Sequence, residues 1–326
     1  MSNMTGKQPK FVVSHAPFLH DGSRISTRSY NMMLAAVPAV LMGIFQYGGP
    51  AFAVIAFSIS TAMIWEFILT TLSKRKVSIG DGNAALIGLL LGMMLPPVTP
   101  FWVVAVGTLV AVSIGKHIYG GIGGNPFNPV ILGYSVLLLS WPNRLDPTMA
   151  TIGYIQEFSL RVPLFVLKYF GVEHISSYQV MDLLMGHQAG GIGTTFGLGL
   201  IIGGLYLILR GFIRWEISVS YIAGVFVTAF IFNSVNPESF AGPMFHLFAG
   251  FTLFGAFFLS TDDSSSPVNF LPMLIYGAGT GVLIVLIRNI GAGEDGVALA
   301  ILLFNCINPL IDKIRPKAMG KVAENA

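Results

Sequence analysis

Two adjacent hydroxyls precede a long apolar run, in the stretch Gly191-Ile192-Gly193-Thr194-Thr195-Phe196. The following residues, 197–209, are almost entirely apolar or glycine, so Thr194 and Thr195 are expected at the mouth of a membrane helix. Glycines surround the approach to the pair, and small residues let a bulky group come close to the backbone. A hydroxyl in this place is a candidate for carrying a covalently attached phosphate ester, although glycine and threonine are also ordinary at helix ends.

A second stretch, residues 120–129, reads Gly-Gly-Ile-Gly-Gly-Asn-Pro-Phe-Asn-Pro. Its glycines leave a loop almost free of side chains, and the amides of Asn125 and Asn128 offer both donors and acceptors. That chemistry suits a flat heterocycle with amide groups, such as an isoalloxazine. The alternative is a turn before a helix, in which Asn128 is the N-cap and Pro129 takes the first helical position.

A third polar stretch, Thr261-Asp262-Asp263-Ser264-Ser265-Ser266-Pro267, follows an apolar run. Its two carboxylates are candidates for lining a cation path. The alternative is a solvated loop in which Ser266 caps a helix that begins at Pro267.

Isolated charges give further candidates. Glu66 lies inside an apolar run, and an ionisable group at that depth is a functional candidate by default. It could instead snorkel or pair with the basic residues 74–76. Lys116 and His117 are expected at the membrane edge, in contact with lipid headgroups. The sequence gives no support to a hydrolase or an ATP-driven pump, because it shows no nucleophile–base triad, metal-ligand spacing or phosphate-binding loop.

The composition predicts an integral membrane protein. Of 326 residues, 54% are hydrophobic and 10% are charged, against about 25% charged in a typical soluble domain. The net charge of +3 does not indicate a nucleic-acid partner. A single cysteine, Cys306, excludes an intrachain disulfide and a cluster held by four cysteines of this chain. We interpret Cys306 as a small buried apolar side chain.

Ten apolar runs are predicted to be membrane spans: 30–46, 51–72, 84–95, 101–115, 129–141, 195–209, 217–232, 245–259, 270–287 and 296–311. Several are shorter than the ~20 residues that a helix needs to cross hydrocarbon, and prolines and glycines bound them. Broken helices of this kind are tolerated only where protein or a polar cavity covers the unpaired backbone.

The basic residues predict the orientation. With a cytoplasmic N-terminus, fourteen lysines and arginines lie inside and four lie outside, as the positive-inside rule requires. Both termini are then cytoplasmic and the threonine pair is on the outer face. We divide the chain into a cytoplasmic segment 1–29, spans 30–142, an outer loop 143–194 with a possible interfacial helix at 160–170, spans 195–312, and a cytoplasmic tail 313–326.

The two groups of spans resemble each other. Lys116-His117-Ile118-Tyr119-Gly120-Gly121 matches Arg288-Asn289-Ile290-Gly291-Ala292-Gly293, and the glycine spacing of 83–92 recurs in 245–255. Residues 30–142 and 195–312 are therefore predicted to be two copies of a five-span unit. An odd number of spans inverts the second copy, and inverted repeats with broken helices place a binding site between the halves.

These motifs, in this order, resemble the RnfD family of the Rnf electron transport complexes, a relative of the NqrB protein of the sodium-pumping NADH:quinone reductase. The glycine-rich Asn-Pro-Phe-Asn-Pro stretch is similar to a family segment. Gly193-Thr194-Thr195-Phe196 is similar to the family's flavinylation pattern Gly-Glu-Thr-Ser, with Thr195 in register with the acceptor. Thr194 stands where Glu is usual, which makes it a rival acceptor. Asp263 and the serines replace the family's Pro-Val-Thr.

The resemblance implies an all-α protein with two inverted five-helix repeats, in a bacterial inner membrane and surrounded by lipid. It implies FMN joined to Thr195 by a phosphoester, installed by a flavin-transferase, and a second flavin, riboflavin or FMN, held noncovalently with Asn125 and Asn128 as contacts. The partners implied are the other subunits of an Rnf complex, especially a periplasmic FMN subunit and Fe–S subunits.

The function implied is electron relay between ferredoxin and NAD, coupled to Na⁺ or H⁺ movement. Two alternatives from other classes stay open at this point. A small-solute channel similar to urea transporters shares the inverted-repeat architecture, and fold alone does not settle function. A scaffold subunit without a cofactor is the other.

Overall fold

The computed structural model describes residues 24–75, 78–146 and 162–314, and in these ranges the chain is helical, with no strand. Most of the predicted terminal segments 1–29 and 313–326, and the start of the predicted interfacial helix at 160–170, lie outside the described residues. The helices are α1 Ile25–Tyr47, α2 Gly49–Leu72, α3 Asn83–Met94, α4 Phe101–Val112, α5 Pro129–Ser140, α6 Pro163–Phe170, α7 Val180–Met185, α8 Gly197–Leu209, α9 Trp215–Val235, α10 Pro243–Phe248, α11 Thr252–Phe254, α12 Phe270–Asn289 and α13 Val297–Ile311. π-helical turns extend α4 over Ser113–His117 and α11 over Gly255–Leu259.

The architecture confirms an all-α integral membrane protein. Four helices, α1, α2, α9 and α12, are long and apolar enough to cross a membrane, and α3, α5, α8, α13 and the extended α4 are shorter apolar helices. Every predicted span contains a helix. The buried apolar core lies between these helices, where their side chains are withdrawn from the lipid-facing surface.

The predicted span 245–259 is not continuous. Its helix stops at Phe248 and resumes at Thr252, with Gly250 in the left-handed region at φ +67°. The break exposes carbonyl groups that a continuous helix would pair, and Arg288 donates to two of them, at 2.7 Å to the His246 oxygen and 3.4 Å to the Ala249 oxygen. A buried guanidinium with several donors therefore makes this break tolerable inside the protein.

Helices α1 and α8 pack antiparallel along their lengths. The Tyr206 hydroxyl contacts Asn31 near the start of α1, and Gly203 fits so closely that a Cβ there would lie 2.1 Å from the Ala35 oxygen. Small residues allow this approach of two backbones. In both halves the second span packs on the fourth and the fourth on the fifth, as α2, α4, α5 and α9, α12, α13. The packing agrees with an inverted repeat.

One expectation about the remaining elements is corrected. Cys306 is exposed on α13 instead of buried, because it lies on the side of the helix that faces away from the core. The helix predicted at 160–170 is present as α6. Its Lys168 ammonium donates to carbonyl oxygens in the last turn of α12 and directly after it, including those of Arg288 and Gly293 at 3.2 Å. Those carbonyls lack helical partners, so Lys168 caps α12.

Candidate functional site

The segment 186–196, which we call the threonine segment, ends directly before α8. Thr194 and Thr195 are each only 3% exposed. The Thr194 hydroxyl donates to the Gly191 oxygen at 3.2 Å, whereas the Thr195 hydroxyl makes no hydrogen bond with any described residue. A buried hydroxyl without a partner costs free energy, so Thr195 is the member of the pair whose side chain is left for another use.

Glycines in the threonine segment allow it to dock on the end of α3. The Ile192 amide donates to the Leu95 oxygen at 3.1 Å and the Gly193 amide to the Met93 oxygen at 2.9 Å. A Cβ on Gly191 would lie 2.7 Å from the same Met93 oxygen. The space that these glycines leave is therefore filled by α3, and it is not open for a bulky group in this conformation.

Gln188 holds the threonine segment from the other side, and sequence reasoning did not find it. Its side chain is 1% exposed and donates to the oxygens of Phe248, Leu183 and Thr195, at 2.9, 3.1 and 3.3 Å. Phe248 ends α10, so one amide joins the broken helix to the backbone of Thr195. The only signal in the sequence was a pair of polar residues, His187 and Gln188, between glycines.

A cavity of about 420 Å³, which we call the inner cavity, opens near the start of α1. Its lining is partly apolar and partly polar. The polar and charged lining residues are Arg28, Ser29, Asn83, Lys116, Asn125, Asn128, Asp262, Asp263 and Ser264. The size falls in the range of about 300–1,000 Å³ that small-molecule and cofactor sites have, with a few polar groups on an apolar wall.

The two predicted asparagines both line this cavity, but they differ in how many of their side-chain atoms already form hydrogen bonds with described residues. The Asn128 oxygen accepts from the amides of Val130 and Ile131 at 2.9 and 3.3 Å, and its amide group donates to the Leu259 oxygen at 2.8 Å. The N-cap interpretation of Asn128 is thus confirmed. Asn125 donates to Asp262 at 3.3 Å, and its side-chain oxygen makes no hydrogen bond among the described residues, so it is open to a donor.

The glycine loop that precedes Asn125 is open. Gly120, Gly121 and Gly123 have φ of +105°, +111° and +90°, and no neighbouring atom lies within 4 Å of the place of a Cβ. Residues with a side chain rarely adopt these angles. The loop therefore depends on its glycines for its backbone path, and it adds no side chain except Ile122 beside the cavity.

The third motif closes the cavity from the second half of the chain. Asp262 accepts from the Ser265 hydroxyl at 2.9 Å as well as from Asn125, and Asp263 pairs with Arg28 at 2.9 Å. The expected helix start at Pro267 is wrong, because α12 begins at Phe270 after Asn269, and Ser266 caps nothing. Both carboxylates bind residues of the first half, and the Asp263 side chain is still 66% exposed, so this part of the loop is solvated.

Glu66 is buried in an ion pair. Its carboxylate lies 2.9 Å from the Lys116 ammonium and 2.9 Å from His117 Nε2, and it accepts from the Ser78 hydroxyl at 2.6 Å. The expectation that Lys116 contacts lipid headgroups is therefore wrong, since the π-helical turn that ends α4 directs it inward. Glu66 pairs with this turn and not with Lys74.

The threonine segment and the inner cavity lie at opposite ends of α1. Arg28 at its start lines the cavity, whereas Gln46 near its end donates to the Gly186 oxygen at 2.8 Å. Helix α3 joins the same two places, since Asn83 lines the cavity and Met93 binds the threonine segment. Its 12 residues span about 18 Å at 1.5 Å per residue.

The part of the chain that contains both sites matches a known protein family. The model of the NQR2, RnfD, RnfE family matches residues 12–320, a range that contains the threonine segment and the inner cavity. The chain belongs to this family. The D subunit of a proton-translocating ferredoxin:NAD(+) oxidoreductase complex from Clostridium ljungdahlii is 34% identical over 316 residues, covering 94% of this chain and 95% of that protein.

Two further relatives are named as the D subunits of ion-translocating oxidoreductase complexes. The protein from Yersinia enterocolitica is 36% identical over 345 residues, covering 94% of this chain and 98% of its own length. The protein from Pectobacterium carotovorum is 34% identical over 346 residues, covering 95% and 99%. The likeness thus runs through both halves of the membrane fold of this family member.

Proposed function

We propose that this chain is the membrane-embedded D subunit of an ion-translocating ferredoxin:NAD oxidoreductase complex, with FMN joined to Thr195 and a second flavin in the inner cavity. The observation that carries the proposal is the buried Thr195 hydroxyl without a hydrogen-bond partner among the described residues. The resemblance to the family's flavinylation pattern, which matches Thr195 to the acceptor, supports the same residue. The names of the relatives favour electron transfer over a small-solute channel.

The residues present fit both groups. A phosphoester replaces the hydroxyl proton, so Thr195 would lose no hydrogen bond to a described residue on attachment, whereas Thr194 would lose its bond to the Gly191 oxygen. The inner cavity has the volume for a noncovalent flavin, and the Asn125 side-chain oxygen, which no described residue binds, can accept from its imide group. Bound flavins supply the redox chemistry, and the protein sets their position and electronics.

Attachment follows from simple chemistry. The Thr195 oxygen forms an ester bond to the phosphorus of FMN, the phosphoanhydride of a flavin dinucleotide breaks, the hydroxyl proton is lost and AMP leaves. A separate flavin-transferase would catalyse this step on the outer face. Because the hydroxyl is buried, the threonine segment has to leave its place against Met93 and Leu95 before the transferase reaches it.

The two ends of α3 define the proposed relay. Electrons pass between the Thr195 end, which faces a periplasmic FMN subunit, and the cavity end, which faces Fe–S subunits on the cytoplasmic side. The chain then lies in the bacterial inner membrane with both termini in the cytoplasm, as its basic loops predict. Ion movement, of Na⁺ or H⁺, is coupled to this electron flow in the assembled complex.

The test is covalent flavin on the denatured chain. Coexpressed with a flavin-transferase, the protein is expected to fluoresce under ultraviolet light after denaturing electrophoresis, and its intact mass is expected to increase by one FMN phosphoester. Thr195→Val should remove both signals, and Thr194→Val, the matched control one residue away, should keep them. An unmodified wild-type chain, or a modified Thr195→Val chain, would contradict the proposal.

A further inference from the structure

One wall of the inner cavity is formed by a buried cation. Lys116 is 3% exposed and lines the cavity, and its ammonium lies 2.9 Å from Glu66, which is 1% exposed and is not among the lining residues. Lys116 therefore lies between the cavity and the Glu66 carboxylate. His117 and Ser78 also bind the carboxylate, so three groups fix its place.

The two charges of the ion pair lie at different distances from the cavity. The positive member is nearer to the cavity than the negative one, so the pair presents a net positive potential to an occupant. Of the other charged lining residues, Arg28 pairs with Asp263, whereas Asp262 accepts hydrogen bonds from the neutral groups of Ser265 and Asn125 and keeps its negative charge, which is the same in every variant described below. A charge acts strongly over a few ångströms where the surroundings exclude water.

We propose that the Lys116 ammonium raises the reduction potential of the flavin in the inner cavity, and that Glu66 holds the ammonium in place while weakening its effect. The inference rests on the proposed second flavin. The oxidised ring system is neutral, and each electron that enters it adds a negative charge until a proton follows. A nearby cation stabilises the charged form and leaves the neutral one almost unaffected.

The sign of the effect can be tested with two variants. Glu66→Gln removes the counter-charge but keeps the ammonium, so the potential should rise. Glu66→Gln combined with Lys116→Met removes both charges without leaving one unpaired, so the potential should fall below that of the wild type. We expect the two variants to differ by at least tenfold in the ratio of reduced to oxidised flavin, which is about 59 mV for a one-electron couple.

The measurement is a reductive titration of the purified full chain carrying riboflavin, in a Thr195→Val background so that only the noncovalent flavin is titrated. Binding of oxidised riboflavin, followed by fluorescence quenching, should be similar in all variants because the oxidised ring is neutral. That readout separates an electrostatic effect from a merely structural one, since a distorted cavity would weaken oxidised riboflavin as well.

The second half of the chain supplies a matched control. Asp295→Asn leaves Arg288 without its carboxylate partner, as Glu66→Gln does for Lys116, but Arg288 does not line the inner cavity. This variant should keep the wild-type potential, and so should Lys116→Arg, which keeps the charge. Equal potentials in wild type, Glu66→Gln and the double variant would overturn the inference. Absence of riboflavin binding by the wild type would instead overturn the proposed second flavin.

Discussion

Each half of the molecule buries one cation at the end of its fourth span, and the two cations are used differently. Lys116, after α4, binds the side chain of Glu66 and faces the inner cavity. Arg288, in the last turn of α12, binds Asp295 at 2.9 Å and also donates to backbone oxygens around the break between α10 and α11. The residues match in the sequence repeat but not in their neighbours.

The chemistry of the two side chains explains the difference. Arginine carries five donors in a planar fork and can pair a carboxylate and several carbonyls at once. Lysine is a compact charge, which suits a position where the charge itself acts on a nearby group. A repeated unit thus places a cation at the same point in both copies, and the residue type decides whether it supports a broken helix or polarises a cavity.

The largest expected effect tests the supporting role of Arg288. Arg288→Met removes the only charged donor to the Asp295 carboxylate and to the oxygens of His246 and Ala249, among the described residues, and leaves them with neutral donors. Losing the charged partner of a half-buried carboxylate should cost about 3–5 kcal/mol of the free energy of unfolding. The check is the apparent melting temperature of the purified protein in detergent. Arg144→Met, which removes an exposed arginine, is the control and should change little. A stable Arg288→Met protein would contradict the scaffold interpretation.

Double substitutions should give a smaller change in stability, and they distinguish the Lys116–Glu66 pair from the Arg288–Asp295 pair. Lys116→Met alone should destabilise the protein by about 3 kcal/mol, because it leaves Glu66 charged and buried, and adding Glu66→Gln should restore most of that loss. The corresponding double variant, Arg288→Met with Asp295→Asn, should recover little, since the guanidinium's bonds to the backbone oxygens stay lost. Melting temperatures of the four variants check this, and equal recovery in the two halves would remove the distinction.

Much of this comparison could be predicted from sequence, because hydrophobic runs and repeats are local patterns. The helical class and a helix in each of the ten runs follow from run length and composition. The match of residues 116–121 with 288–293 also predicted that the two cations hold equivalent places. The capping role of Asn128 followed from its position before Pro129, which is a local signal as well.

The partners of the charged residues could not be predicted in the same way. Lys116 was expected at lipid headgroups, because sequence does not show that a π-helical turn rotates it toward Glu66, fifty positions earlier. The docking of Gly191 on Met93 and the bonds of Gln188 depend equally on contacts between distant segments. The break at Ala249 contains no proline, so the sequence predicted a continuous span over 245–259. The structure shows the break and the bonds from Arg288 to the carbonyl oxygens of His246 and Ala249.

The smallest effect concerns one hydroxyl in each half. Ser78→Ala removes one of three donors to Glu66, and Lys116 and His117 remain, so the loss should be about 1 kcal/mol. Thr252→Val should cost about twice as much, because that hydroxyl accepts from Arg288 at 2.9 Å and donates to two carbonyls of the break. Both are read from melting temperatures. If Ser78→Ala proves as costly as Thr252→Val, the Glu66 cluster is a structural support like its counterpart, and its charge at the inner cavity is incidental.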